Sequence, residues 1–171
     1  MRKITLAVML SMMASLSFAQ LVNDGATITI KNGATLFVES DVTNNGAGTI
    51  AVEGTGILEV QGHLTNNATL TTQSGSKVKF SGAANSNFKS NGASISNLEI
   101  SKTGSTVTLT DVASVSGNLD FGSAGSSKLL LGNNNLVLGS SATATGHDAD
   151  EYVAINGTGV VQKNYADNTY T

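Results

Sequence analysis

The chain has 171 residues, 19 of them glycine, with no cysteine, no proline and a formal net charge of −3. Lacking cysteine, it can form neither a disulfide framework nor a thioether-linked lipid anchor, and two histidines alone are too few for a zinc site. A mildly acidic chain with one arginine also lacks the clustered cations that neutralise nucleic-acid phosphates.

Residues 1–19 read as a secretory signal peptide. Met1-Arg2-Lys3 is a short positive start, Ile4 to Leu16 is mostly apolar, and Ser17-Phe18-Ala19 puts small residues before a cleavage at Gln20. The apolar run is too short to span a bilayer, so no membrane span is expected in the mature chain. All four methionines and the single arginine lie in this leader. Residues 20–171 keep seven lysines against twelve acidic side chains and form one domain.

After the leader, apolar residues come in alternating pairs. Ile28/Ile30 and Leu36/Val38 are followed by Ile50/Val52, Leu58/Val60, Val78/Phe80, Leu98/Ile100, Val107/Leu109, Leu119/Phe121, Leu129/Leu131, Leu136/Leu138 and Val153/Ile155. Alternation in short runs, bounded by Asn-Gly and Asp-Gly turns, predicts short half-buried strands. The segment Phe37 to Asn45 returns as Glu59 to Asn67, and Thr27–Ile30 returns as Thr49–Val52, each 22 positions on. Identity at a fixed offset predicts an all-β fold, a single-stranded parallel β-helix (β-solenoid) with coils of ~20–22 residues. A β-sandwich also spaces strands evenly but has no need of repeated sequence.

Two columns of apolar residues follow. One runs Leu36, Leu58, Val78, Leu98, Leu119; the other runs Ile28, Ile50, Leu70, an ill-defined rung near Phe88, then Val107, Leu129 and Val153. A shorter third strand at Val42-Thr43 and Leu64-Thr65 completes the coil, and residues 81–97 break the pattern with a bulge or loop. One coil buries about five apolar side chains, roughly 8–15 kcal/mol gross, which is less than the ordering cost of its backbone. Coils must therefore stack to be stable.

Register predicts which polar residues meet. Asn44 stacks on Asn66 and Asn45 on Asn67 as structural corner residues, their backbones suited to left-handed angles. Lys31 falls over Glu53 and Asp41 over His63 as candidate ion pairs across exposed rungs. Ser40 is the only sequence-adjacent nucleophile for an Asp41–His63 dyad, and no oxyanion donor accompanies it. Glu39 and Asp41 share a face, but Phe37 is the only aromatic beside them, which is poor for hydrolysing a glycan. His147-Asp148-Ala149-Asp150-Glu151 could hold a hard cation but lacks EF-hand spacing, and it reads as a solvated loop. Thr27 lies under Thr49, yet Thr29 meets Ala51 and Thr35 meets Ile57, so an ice-matching threonine array is expected to break after one step. Asn67-Ala68-Thr69 and Asn156-Gly157-Thr158 match the glycosylation acceptor pattern without adding information. No catalytic, cofactor-binding or metal-ligating residue is assigned.

The G-A-T-I-T-I and G-A-T-L-F-V openings, the V-T-N-N and L-T-N-N corners, V-K-F-S-G and N-L-E-I-S-K-T-G-S-T-V-T-L together resemble the repeat regions of secreted and cell-surface proteins of Bacteroidota. That resemblance implies a β-solenoid ahead of further modules and a C-terminal type IX secretion sorting domain. No sorting domain follows here, and Gly159–Tyr165 and Asn168–Thr171 read as open strands. A longer polypeptide, or end-to-end association, is therefore expected. The expected function is a non-enzymatic extracellular stalk, spacer or adhesin without cofactor, whose partners are further modules of the same polypeptide, surface glycans or other cell-surface proteins. The alternative is a carbohydrate-binding or carbohydrate-active β-helix. Lyases of that fold pair an Arg or Lys base with stacked calcium-binding acids, and the mature chain has neither the arginine nor the stacked acids.

Overall fold

The computed structural model describes residues 20–122 and 125–166; the signal-peptide reading and the strand expected over Asn168–Thr171 lie outside them. The described residues form eighteen strands and no helix. The first coil holds β1 (Leu21–Asp24), β2 (Thr27–Ile30) and β3 (Thr35–Val38). The second holds β4 (Val42–Asn45), β5 (Thr49–Val52) and β6 (Ile57–Val60), and the third β7 (Leu64–Asn66), β8 (Thr69–Thr72) and β9 (Lys77–Phe80). The fourth and fifth have two strands each, β10 (Ser86–Lys89) with β11 (Ser94–Ile100), and β12 (Thr106–Leu109) with β13 (Ala113–Phe121). The sixth returns to three, β14 (Lys128–Leu130), β15 (Leu136–Leu138) and β16 (Thr143–Thr145), and β17 (Tyr152–Ala154) and β18 (Val161–Lys163) begin a seventh.

Every pairing is parallel and joins a strand to its equivalent one coil away, so the chain is a β-solenoid with three faces. The first face stacks β1-β4-β7-β10-β12-β14-β17. The second begins as β2-β5-β8 and the third as β3-β6-β9-β11-β13. In the fourth and fifth coils the four-residue corner between the second and third faces (residues 31–34, 53–56 and 73–76) disappears. Both faces then run through one long strand, with a register shift at Ser96 in β11. β15 continues the N-terminal half of β13 and β16 its C-terminal half.

The column Leu36, Leu58, Val78, Leu98, Leu119 is realised in full register on the third face. The other column is not one column. Ile28, Ile50 and Leu70 stack on the second face, whereas Val107, Leu129 and Val153 stack on the first, above Ser86. Phe88 belongs to a separate line on the first face, between Leu64 and Leu109. The short third strand, at Val42 and Leu64, thus belongs to β4 and β7 of the first face, whose sheet takes one strand from each coil. Alternation could not separate these lines, because the fused strands β11 and β13 remove the corner that marks the second face.

The inward side chains form one continuous core. Val42, Ile50, Leu58, Val60, Val78, Phe80, Phe88, Ile95, Leu98 and Leu129 are all without solvent exposure, and the Phe80 and Phe88 rings meet at 5.3 Å between centroids. The two rings join the first and third faces where the corner between them lengthens from three residues (39–41, 61–63) to five (81–85, 101–105). That longer corner places the candidate site.

Candidate functional site

A groove of about 320 Å³ crosses three successive corners between the third and first faces, lined by residues 39–41, 61–63 and 83–85. Among the described residues it is the place where an acid, a histidine and a serine converge. The backbone engages the acid and the histidine. Asp41 Oδ1 accepts the backbone N–H of His63 at 2.7 Å, and His63 Nδ1 accepts the backbone N–H of Asn87 at 2.9 Å. Among the described residues the Asp41 carboxylate and the His63 ring make no contact within salt-bridge distance. The expected Asp41–His63 ion pair is therefore replaced by a relay of side-chain-to-backbone bonds, each tying a corner to the next coil. The geometry does not build a dyad, and Ser40 has no hydrogen bond to His63.

Behind the groove lies a residue that the sequence does not announce. Lys102 follows β11 in a Ser-Lys-Thr-Gly corner and is wholly buried. Its Nζ donates to Gln61 O at 2.8 Å, Ser81 O at 2.6 Å and Ser86 Oγ at 2.9 Å, reaching back across two corners. Among the described residues no carboxylate lies within salt-bridge distance of it. Desolvation lowers its pKa from the ordinary 10.5 to about 8. A charged residue between Ser and Thr-Gly reads as solvated, so nothing in the local pattern signals the burial.

The asparagine stack is deeper than the repeat implies. Asn23 joins it, giving a buried line in which Asn23 Nδ2 donates to Asn44 Oδ1 and Asn44 Nδ2 to Asn66 Oδ1, both at 2.8 Å. Asn66 Nδ2 then donates to Ser90 O at 2.8 Å. The backbones are extended rather than left-handed, correcting that expectation: these residues sit inside β1, β4 and β7, and the left-handed angles fall to glycines such as Gly46 (φ 57°). Gly48 is required for a different reason. A Cβ there would come within 2.8 Å of Asn23 Nδ2. Outside, Asn67 Nδ2 donates to Asn45 Oδ1 at 2.8 Å and Lys89 Nζ to Asn67 Oδ1 at 2.6 Å.

The remaining cations are used in the same way. Lys31 pairs with Glu53 at 2.8 Å as the register predicts. On the third face Lys77 pairs with Glu99, and Lys79 lies between Glu59 (3.5 Å) and Glu99 (3.6 Å). Lys128 stands over the Tyr152 ring at 5.2 Å, and Lys163 Nζ donates to Gly139 O, Ser140 O and Ala142 O. Each of the seven lysines of residues 20–171 therefore engages another coil.

The other candidates resolve likewise. In the acidic stretch, Asp148 Oδ1 accepts the backbone N–H groups of Asp150 and Glu151, and Glu151 Oε1 accepts that of Gly125, so two carboxylates hold the loop itself. Among the described residues no group of three or more potential ligands converges on a metal position. The threonine array breaks at Ala51 as expected, but its first line continues. Thr27, Thr49 and Thr69 are in register, Thr71 resumes the line beyond Ala51, and Thr35 belongs to the third face. It extends over three coils and stops where β8 meets the irregular start of β11. Among the described residues no helix is long and apolar enough to cross a membrane.

Comparison of the chain with protein-family models, with curated proteins and with solved structures found no match.

Proposed function

We propose that this chain is a non-enzymatic structural or adhesive repeat module, a stalk, spacer or surface adhesin of a secreted or cell-surface bacterial protein. One observation carries the reading: the lysines and the groove's Asp41 and His63 are engaged along the stack. The seven lysines bridge coils. In the groove, the acid and the imidazole hold the backbone of neighbouring corners. Axial bonds of this kind stiffen a solenoid without requiring a pocket. The leader-like start of the sequence supports export, and the repeat resemblance supports a bacterial surface context.

Carbohydrate binding is the second reading, favoured by the groove itself and by half-exposed Phe37 on the adjoining strand. A broad glycan panel, scored for both binding and turnover with the secreted chain, separates the two. The structural reading expects neither. Saturable binding abolished by Phe37→Ala or Asn85→Ala would favour the second, and turnover of any glycan would overturn the first.

A further inference from the structure

Lys102 sits where the solenoid changes its cross-section. Below it, the corners between the third and first faces have three residues; at residues 81–85 and 101–105 they have five. A longer corner carries extra backbone polar groups that cannot all pair in the coil-to-coil ladder, and buried polar groups need partners. The carbonyls of Gln61 and Ser81, on two successive corners, find theirs on the Lys102 ammonium. The third proton goes to Ser86 Oγ, at the first residue of β10, and that hydroxyl lies 3.3 Å from Gln61 O as a donor. The side chain thus straps Gln61, which lines the groove, to Ser81 and Ser86, which flank its lining residues 83–85.

We propose that Lys102 is the positioning residue of this groove, and that with Ser86 it forms a clasp that holds in both protonation states. With the ammonium present, three N–H bonds go to Gln61 O, Ser81 O and Ser86 Oγ, and the Ser86 hydroxyl points to Gln61 O. When base removes one proton to solvent, the amine keeps two donors for the two carbonyls and gains a lone pair. The Ser86 hydroxyl then turns from Gln61 O and donates to Nζ. The three contacts of Nζ persist, that to Ser86 with its direction reversed, and the long Ser86–Gln61 bond is lost, so the wall stays in place while a positive charge leaves the corner. Gln61, Ser81 and Ser86, the groups that surround Nζ, are uncharged; Glu39, Asp41 and His63 are the charged or titratable groups of the groove on the same corners. Loss of the ammonium shifts the balance of charge there toward the acids without remodelling the walls. Burial brings this proton loss into the mildly alkaline range, with a pKa of about 8.

The test is a pH titration of the full chain by NMR, following the lysine 13Cε resonances and the amides of Gln61, Ser81 and Ser86. One lysine, identified as Lys102 by its disappearance in Lys102→Met, is expected to titrate near pH 8 rather than at the ordinary 10.5. The three amides should shift with the same midpoint while residues 81–87 keep their hydrogen-exchange protection. Lys102→Met should lose that protection at every pH, because its thioether cannot reach two carbonyls as a donor. If that variant does not fold, the wild-type titration still decides, with Lys102 assigned through its bonded backbone. Titration of Lys102 at the ordinary lysine value of 10.5 would overturn the clasp. So would loss of protection in residues 81–87 as Lys102 deprotonates, since charge rather than the side chain would then be holding the wall.

Discussion

At the residue scale, buried polar side chains decide which substitutions the chain tolerates. Asn44, itself without solvent exposure, donates into Asn66 Oδ1 and Thr69 O while accepting from Asn23. Asn44→Ala strands several buried groups and should cost at least about 2 kcal/mol in urea melts, against under about 0.5 kcal/mol for exposed-side Asn45→Ala. Equal costs would show that the ladder carries no stability. Lys102 sets a pH dependence. The folded chain releases this proton near pH 8 and the unfolded chain near 10.5. Between those values the unfolded state binds more protons, so stability rises with pH across that window and is lower below it, by up to about 3 kcal/mol. Melts of the wild type and Lys102→Met at pH 7 and 9.5 check this: only the wild type should gain from the lysine.

The element scale is where sequence and structure part. Val60 lies in β6 beneath Phe80 and above Val38, fully buried, and Glu59 beside it faces outward to Lys79. Val60→Asp should cost several kcal/mol, and Glu59→Gln under about 1 kcal/mol, since it removes only a partly exposed ion pair. Alternation made that contrast legible, as it did the whole third-face column. It could not show how β8 passes to β11, where the corner vanishes. There Thr72 Oγ1 donates to Ser94 O at 3.0 Å and accepts from Ser96 N at 2.7 Å, a side chain standing in for ladder bonds. Thr72→Val keeps the shape and loses both bonds. It should cost about 1–2 kcal/mol, with outward Thr71→Val near neutral. The repeat breaks at this point because backbone pairing gives way to side chains, and side-chain bonds leave no period to read. The groove was hidden for the same reason: Asp41 and His63 are visible as stacked neighbours, but that each binds the next coil's backbone follows only from where the corners sit.

Across the whole molecule, a single coil buries too little to be stable alone, and its contacts run to the next coil or, at Lys102, across two. Apolar lines, asparagine ladder, ion pairs and the Lys102 strap all point along the stack, so stability should propagate from coil to coil. The most direct measurement is strand-resolved native-state hydrogen exchange of the wild type and Asn44→Ala. In the wild type, β4 to β13 should exchange slowest and the outer coils fastest. Asn44→Ala should lower protection most in β1, β4 and β7 and in the strands paired around them, with the effect fading toward β12 and β13. Loss confined to β4, with its neighbours on either side unchanged, would contradict an architecture held together from coil to coil.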